Sequence, residues 1–293
     1  MLRSLISKKQ FLLVIVVIYL FSGSISVLKA QGLNWEGQTG ALLTPFAYTS
    51  KSDEKTFGKP QVSFHYLAAG DVIGNHIQTS VTVGAAKRVE FGYTRNIAIE
   101  GGSPLAPLFS KDINIFHGKV NIVEENAGNS KALPAISAGF VARTNVKRAG
   151  GYLADQTETN GDVYVVATKT ITQIKGLPIV LSGGVKATNA SVMGIAGNSP
   201  DWKARGFGTV AAVVSGSSKT TVIVGAEAVQ QPKYVKGLPG ATVPTSFSYF
   251  TRIIPNKVPM AIDLAIVQAA GEIAPGVDLK ARARFGMGIS YQF

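Results

Sequence analysis

From Asp278 to Phe293 the chain alternates, residue by residue, between apolar and polar side chains. Leu279, Ala281, Ala283, Phe285, Met287, Ile289, Tyr291 and Phe293 make one set. Asp278, Lys280, Arg282, Arg284, Gly286, Gly288, Ser290 and Gln292 make the other. Successive side chains of an extended strand point to opposite sides, so the segment predicts a strand separating an apolar medium from water. The apolar face runs to the last residue, which places hydrocarbon rather than a protein core beside it.

The other end of the chain leads the same way. Arg3, Lys8 and Lys9 precede an apolar run from Phe11 to Phe21, followed by small residues and Lys29-Ala30-Gln31. That order describes a secretory signal peptide over residues 1–30, and the run falls short of the roughly 20 apolar residues that a spanning helix needs. After Ala30 no apolar run is long enough for such a helix, and there is no cysteine to build a disulfide framework. Abundant glycine and only 16% charged residues favour one large β domain. In a membrane, only a closed barrel then satisfies the backbone. The last strand, with Phe285, Met287, Ile289, Tyr291 and Phe293 on its apolar face, resembles the C-terminal signature by which bacterial outer-membrane barrels are recognised for assembly. That resemblance implies the outer membrane as location and the barrel assembly machinery as a partner.

Turn-forming clusters divide residues 61–293 into candidate strands at 61–70, 76–85, 87–100, 111–124, 133–145, 161–172, 177–188, 202–214, 219–230, 242–254, 258–269 and 278–293. The spacing predicts an all-β, antiparallel transmembrane barrel of about twelve strands with both termini on the periplasmic side. Long connections (101–110, 146–160, 189–201, 231–241, 270–277) then lie outside and mostly short ones inside, as such barrels require. Residues 31–60 stand apart, as a periplasmic segment, as a plug folded into the lumen or as additional strands, and the even strand count favours the plug over added strands. Two irregularities stand out. Arg95 interrupts the apolar face of Val89, Phe91, Tyr93, Ile97 and Ile99, and the pattern of 111–124 slips between Ile115 and Phe116, as a bulge or a misplaced strand would make it. Residues 133–145 also match 177–189 at six of thirteen positions, which reads as a two-strand repeat with proline at each strand entrance, or as chance.

Alternation assigns a basic wall to the wet face: Arg88, Arg143, Lys186, Arg205, Arg252, Lys280, Arg282 and Arg284, with Lys203, against fewer acids, chiefly Glu90, Asp263 and Asp278. Such rings favour anions in pores, or merely balance acids across the lumen. The net charge of +12 is shared with the leader, and an exported chain meets lipopolysaccharide phosphates and anionic solutes rather than nucleic acid. His65, His76 and His117 lack metal-ligand spacing, so no metal and no cofactor is expected. No nucleophile elbow appears, and Ser80 beyond His76 is the least poor candidate for a catalytic pair.

The stretch Leu33 to Gly40 with Thr44-Pro45-Phe46-Ala47-Tyr48, continued through Gly58-Lys59-Pro60, 114–121, 160–169 and 275–282, resembles a family of bacterial outer-membrane proteins catalogued as a domain of unknown function. The resemblance implies an outer-membrane barrel and brings no activity or binding residues. The strands at Leu133-Pro134 and Val163–Lys169 are similar to barrels associated with exopolysaccharide production. The expectation is therefore a non-enzymatic barrel: a narrow pore for small anionic solutes, or a structural envelope protein. The alternatives are a non-conducting scaffold for envelope exopolysaccharide and, third, a lipid hydrolase using His65 or His76.

Overall fold

The computed structural model describes residues 32–146, 157–174, 177–195, 198–215, 219–232 and 243–293. The signal peptide expected over 1–30 lies outside them, as do parts of the connections 146–160 and 231–241. Twelve antiparallel strands close into a barrel. In chain order they are β1 (Gln61–Ala68), β2 (Asn75–Ala85), β3 (Val89–Ile99), β4 (Ile113–Val123), β5 (Ala135–Thr144), β6 (Thr159–Ile171), β7 (Ile179–Ala190), β8 (Asn198–Ser215), β9 (Thr220–Val229), β10 (Ser246–Pro255), β11 (Met260–Gln268) and β14 (Arg284–Gln292). Between the last two, β12 (Ala270–Ala274) and β13 (Val277–Ala281) form a separate two-stranded hairpin. Strand β14 pairs with β11 on one side and with β1 on the other, from Gln61↔Gln292 to Leu67↔Gly286, and so closes the wall.

The outer surface is apolar. Phe64, Phe91, Phe116, Phe140, Val163, Val185, Val210, Tyr249, Leu264 and Ile289 all point away from the lumen and are exposed. Facing inward beside them are Ser63, His65, Gln78, Thr94, Ser137, Asp162, Thr188, Ser248 and Asp263, all buried. A closed ladder leaves no unpaired strand edge, and a large exposed apolar surface on such a wall is a lipid-contacting surface. The protein is an outer-membrane β-barrel, and no helix among the described residues is long and apolar enough to cross a membrane.

Three sequence expectations change at the level of local backbone. The expected single strand 278–293 is two elements. Lys280 (φ 51) and Ala283 (φ 50) adopt left-handed backbone, which ends β13 and turns the chain before β14 begins. Leu279 and Ala281 then bury with Val72 and Ile73 of the one-turn helix Gly70–Ile73 rather than facing lipid. The slip in 111–124 is not a bulge at Ile115: β3 and β4 pair without a break from Val89↔Val120 to Asn96↔Ile113. Ile113 and Ile115 face inward and are buried, while Phe116 faces out. The register shift lies lower, between Asn121 and Val123. The repeat fails on parity: Val141 and Arg143 face the lumen, whereas their counterparts Val185 and Ala187 face lipid. Equivalent residues thus sit on opposite faces, a one-residue offset that reverses every side chain of a strand. Arg95 does lie on the outer face, where it donates to Asp112 and Asn114 at 2.7 and 2.8 Å.

Candidate functional site: a filled lumen

A twelve-stranded wall lined by serine, threonine and glycine encloses more space than its own side chains fill. Residues 32–50 occupy that space. The Asn34 side-chain oxygen accepts the N–H groups of Glu36 and Gln38 at 3.0 and 2.8 Å, an Asx-type turn. Gly37 completes it with φ +87, and a Cβ there would sit 2.5 Å from Thr94 Oγ1. Bridges Leu33↔Thr39 and Gly40↔Pro45 fold the segment back on itself. Trp35 N–H donates to the Leu42 carbonyl at 2.6 Å, and its indole meets the His65 ring edge-on at 6.2 Å. Leu33 bonds Ser290 Oγ at 3.0 Å and Ser50 approaches Gln61 at 3.4 Å. Both ends of the plug therefore lie near the mouth where β1 starts and β14 ends, the periplasmic one in the orientation expected from the even strand count.

Four charged clusters hold it. On β3, Glu90 accepts the N–H groups of Thr39 and Ser50 at 3.0 and 2.7 Å and the Thr39 hydroxyl. Lys119 from β4 pairs with Glu90 at 3.1 Å and donates to the Thr39 carbonyl at 3.0 Å. On β9, Glu227 receives three consecutive backbone N–H groups, Leu42, Leu43 and Thr44, at 3.1, 2.9 and 2.9 Å, and the Thr44 hydroxyl at 2.9 Å. That arrangement is an anion-binding concavity of main-chain donors. On β10, Arg252 pairs with Asp263 at 2.7 and 2.9 Å and donates to the carbonyls of Gly40 and Ala41 at 2.7 and 3.2 Å. On β5, Arg143 bridges Glu36 of the plug at 2.6 Å and Asp162 of β6 at 2.8 Å, with Lys186 of β7 at 3.4 Å from Asp162. Nearer the periplasm, Tyr48 donates to Glu125 at 2.8 Å, and burial pushes its phenol pKa up, which keeps the donor proton in place. A cleft of about 20 Å³ remains between plug and wall, lined by residues including Glu36, Gln38, Asp162, Tyr164, Lys186 and Phe207. It is comparable to the space one water needs.

The basic residues singled out from the sequence part company here. Arg143, Lys186 and Arg252 face the lumen, each paired to an acid. Arg205 lies on the inward face of β8 toward the outer mouth and donates to the Gln231 carbonyl at 2.8 Å. Arg88 is not a wall residue: it sits in the exposed turn after β2, 3.3 Å from Glu124. Lys280 and Arg282 belong to the outer hairpin, Arg282 pairing with Asp278 at 2.5 Å. Arg284, the first residue of β14, donates to the Lys280 carbonyl at 3.0 Å. Alternation assigns a side to each residue but not the height at which the wall ends, which explains all three displacements. Phe285, Ile289, Tyr291 and Phe293 are exposed on the outer face, with Met287 half-buried on the same side. His65, His76 and His117 are buried within the barrel, and Ser80 Oγ accepts from Thr94 at 2.7 Å.

The sequence reading missed Lys119, Asp162, Glu227 and Glu36. Glu227 was visible as the lone charge in Thr220–Val229, where inward parity already marked it. Lys119 lies in the strand whose alternation slips between Ile115 and Phe116, which leaves its side unassigned.

A family model described as "Protein of unknown function (DUF3034)" matches residues 31–281. The chain belongs to this family. No curated protein matches it. Among solved structures, the DUF3034 barrel is similar to the KdgM porin at 8% identity, covering 80% of this chain and 99% of that one with a TM-score of 0.46. It is also similar to the COG4313 outer membrane channel from Pseudomonas putida F1, at 9% identity, 84% and 100% coverage and a TM-score of 0.44.

Proposed function

We propose that this protein is an outer-membrane channel held shut by its own N-terminal segment and opened when that segment withdraws toward the periplasm. The observation that carries the reading is the path of residues 32–50. They reach Arg143 and Glu227 near the outer mouth, yet begin and end beside Ser290 and Gln61. A segment whose two ends share one mouth can leave as a loop without being threaded through the wall.

The hydrogen-bonded and charged contacts can be replaced one by one by water or solute, while Trp35, Ala41, Leu42, Leu43 and Ala47 add apolar packing that withdrawal must also undo. In the open state the wall presents Lys119, Arg143, Lys186 and Arg252 against Glu90, Asp162, Glu227 and Asp263, a balanced set. Arg205 and Arg284 near the outer mouth, which donate to the carbonyls of Gln231 and Lys280, tip it toward small anionic solutes, while Lys203 is answered by Asp201 at 3.4 Å.

Planar-bilayer recordings test this. The mature protein is expected to be silent at low voltage, and a variant lacking residues 32–50 to conduct with a modest anion preference. A steady conductance from the intact protein would overturn the gate. A silent deletion variant that still forms a heat-modifiable barrel would overturn the channel and favour a scaffold.

A further inference from the structure

Beyond the lumen, residues 51–60 form a strap that leaves the plug, crosses the periplasmic rim and reaches β1 from outside. Gly58 N–H donates to the Gly84 carbonyl at 2.8 Å, Ala86 N–H to the Thr56 carbonyl at 3.2 Å, and Lys87 N–H to Ser52 Oγ at 2.8 Å. This holds the Phe57 ring against the lipid-facing Phe91 at 6.1 Å, where it remains 71% exposed. Around it stand the exposed residues Lys51, Lys55, Lys59, Lys87 and Arg88. Glu54 pairs with Lys87 and Glu124 with Arg88, and Asp53 is exposed in the same strap, so three acids stand against five basic residues. Lys131 and Lys257, in other turns at the same end, are exposed as well.

An uncovered aromatic ring continuous with the hydrocarbon-facing wall, set among ammonium groups, fits an amphiphile that has both an acyl region and a phosphate. We propose that this rim is a seat for anionic phospholipid headgroups of the inner leaflet, with Phe57 inserted among the acyl chains and Lys55 and Lys59 on the phosphates. Basic residues beside a membrane surface attract anionic lipid in a salt-dependent manner. An acidic protein would satisfy the lysines but not Phe57.

The test is retention of lipid by the purified mature protein after exposure to mixed phosphatidylglycerol and phosphatidylcholine micelles, read by native mass spectrometry. The expected result is preferential retention of phosphatidylglycerol, weakened by salt. Retention should fall on the order of twofold or more in Lys55→Glu/Lys59→Glu and in Phe57→Ser, and be preserved in Lys55→Arg/Lys59→Arg. Lys280→Glu/Arg282→Glu on the outer hairpin is expected to change nothing. A heat-modifiable band confirms that each variant is folded. Equal retention of the two lipids, no loss in the rim variants, or an equal loss in the hairpin variant would overturn the proposal. The first outcome would leave an acidic soluble partner as the occupant.

Discussion

Glu227 is a carboxylate inside a barrel whose bonds run to main-chain N–H groups and a hydroxyl rather than to a cation. Such an acceptor is worth its place only while the plug supplies the donors, because a buried charge without partners is costly. Glu227→Gln puts an NH2 group where an oxygen faced the N–H of Thr44 or Leu43. It is expected to loosen residues 42–44 at a cost of about 1–3 kcal/mol, seen as faster hydrogen exchange at the Leu42 and Leu43 amides. Unchanged exchange there would mean that Glu227 does not hold the plug. Arg252 is coupled differently, since it serves the wall and the plug together. Arg252→Ala strands Asp263, which is fully buried, and is expected to destabilise the barrel by about 3–5 kcal/mol. Adding Asp263→Ala removes the stranded charge, so the double variant is expected to regain much of the loss in heat-modifiability temperature. Additive losses would refute the coupling.

At the scale of elements, the barrel and the outer hairpin are separable. β11 pairs with β14 from Met260↔Tyr291 to Val267↔Arg284 without help from β12 or β13, so the wall closes over the hairpin's absence. What the hairpin contributes is cover: Leu279 and Ala281 bury with Val72 and Ile73. Replacing residues 270–281 by a short glycine-containing turn is therefore expected to leave a heat-modifiable barrel while exposing Val72 and Ile73, detectable as greater binding of a hydrophobic dye. Loss of the barrel itself would show that the hairpin nucleates closure. The strands were legible because alternation is a local property, set by the pleat. The break within 278–293 was not, since it depends on left-handed backbone at Lys280 and Ala283 and neither residue type announces that conformation.

For the whole molecule, the question is whether the plug moves. Thr44 and Thr209 lie in hydrogen-bond contact across the plug–wall boundary, and the native chain has no cysteine to interfere. A Thr44→Cys/Thr209→Cys variant is expected to form a disulfide that locks residues 32–50 in the lumen. Oxidised protein should then stay silent in a bilayer at voltages or urea concentrations that open the unmodified barrel, and reduction should restore opening. Openings that persist after confirmed oxidation would show that solute passes without the plug leaving. Each half of this comparison uses the same polypeptide, so a folding defect affects both alike.

The sequence by itself determined the class of the protein. Period-two alternation, turn spacing and an apolar final strand are written residue by residue, and each follows from the geometry of one strand in one environment. The even strand number came the same way, because every turn is local. Only the tertiary structure decided what the charges do. Arg143 meets Glu36 across 107 positions of chain and Arg252 meets Gly40 across 212, and no local pattern encodes separations of that size. Hence Arg143 and Arg252, which read as free cations of a ring, are, once folded, neutralised clamps on the N-terminal segment. Burying charge forces it to find partners wherever closure of the barrel brings them.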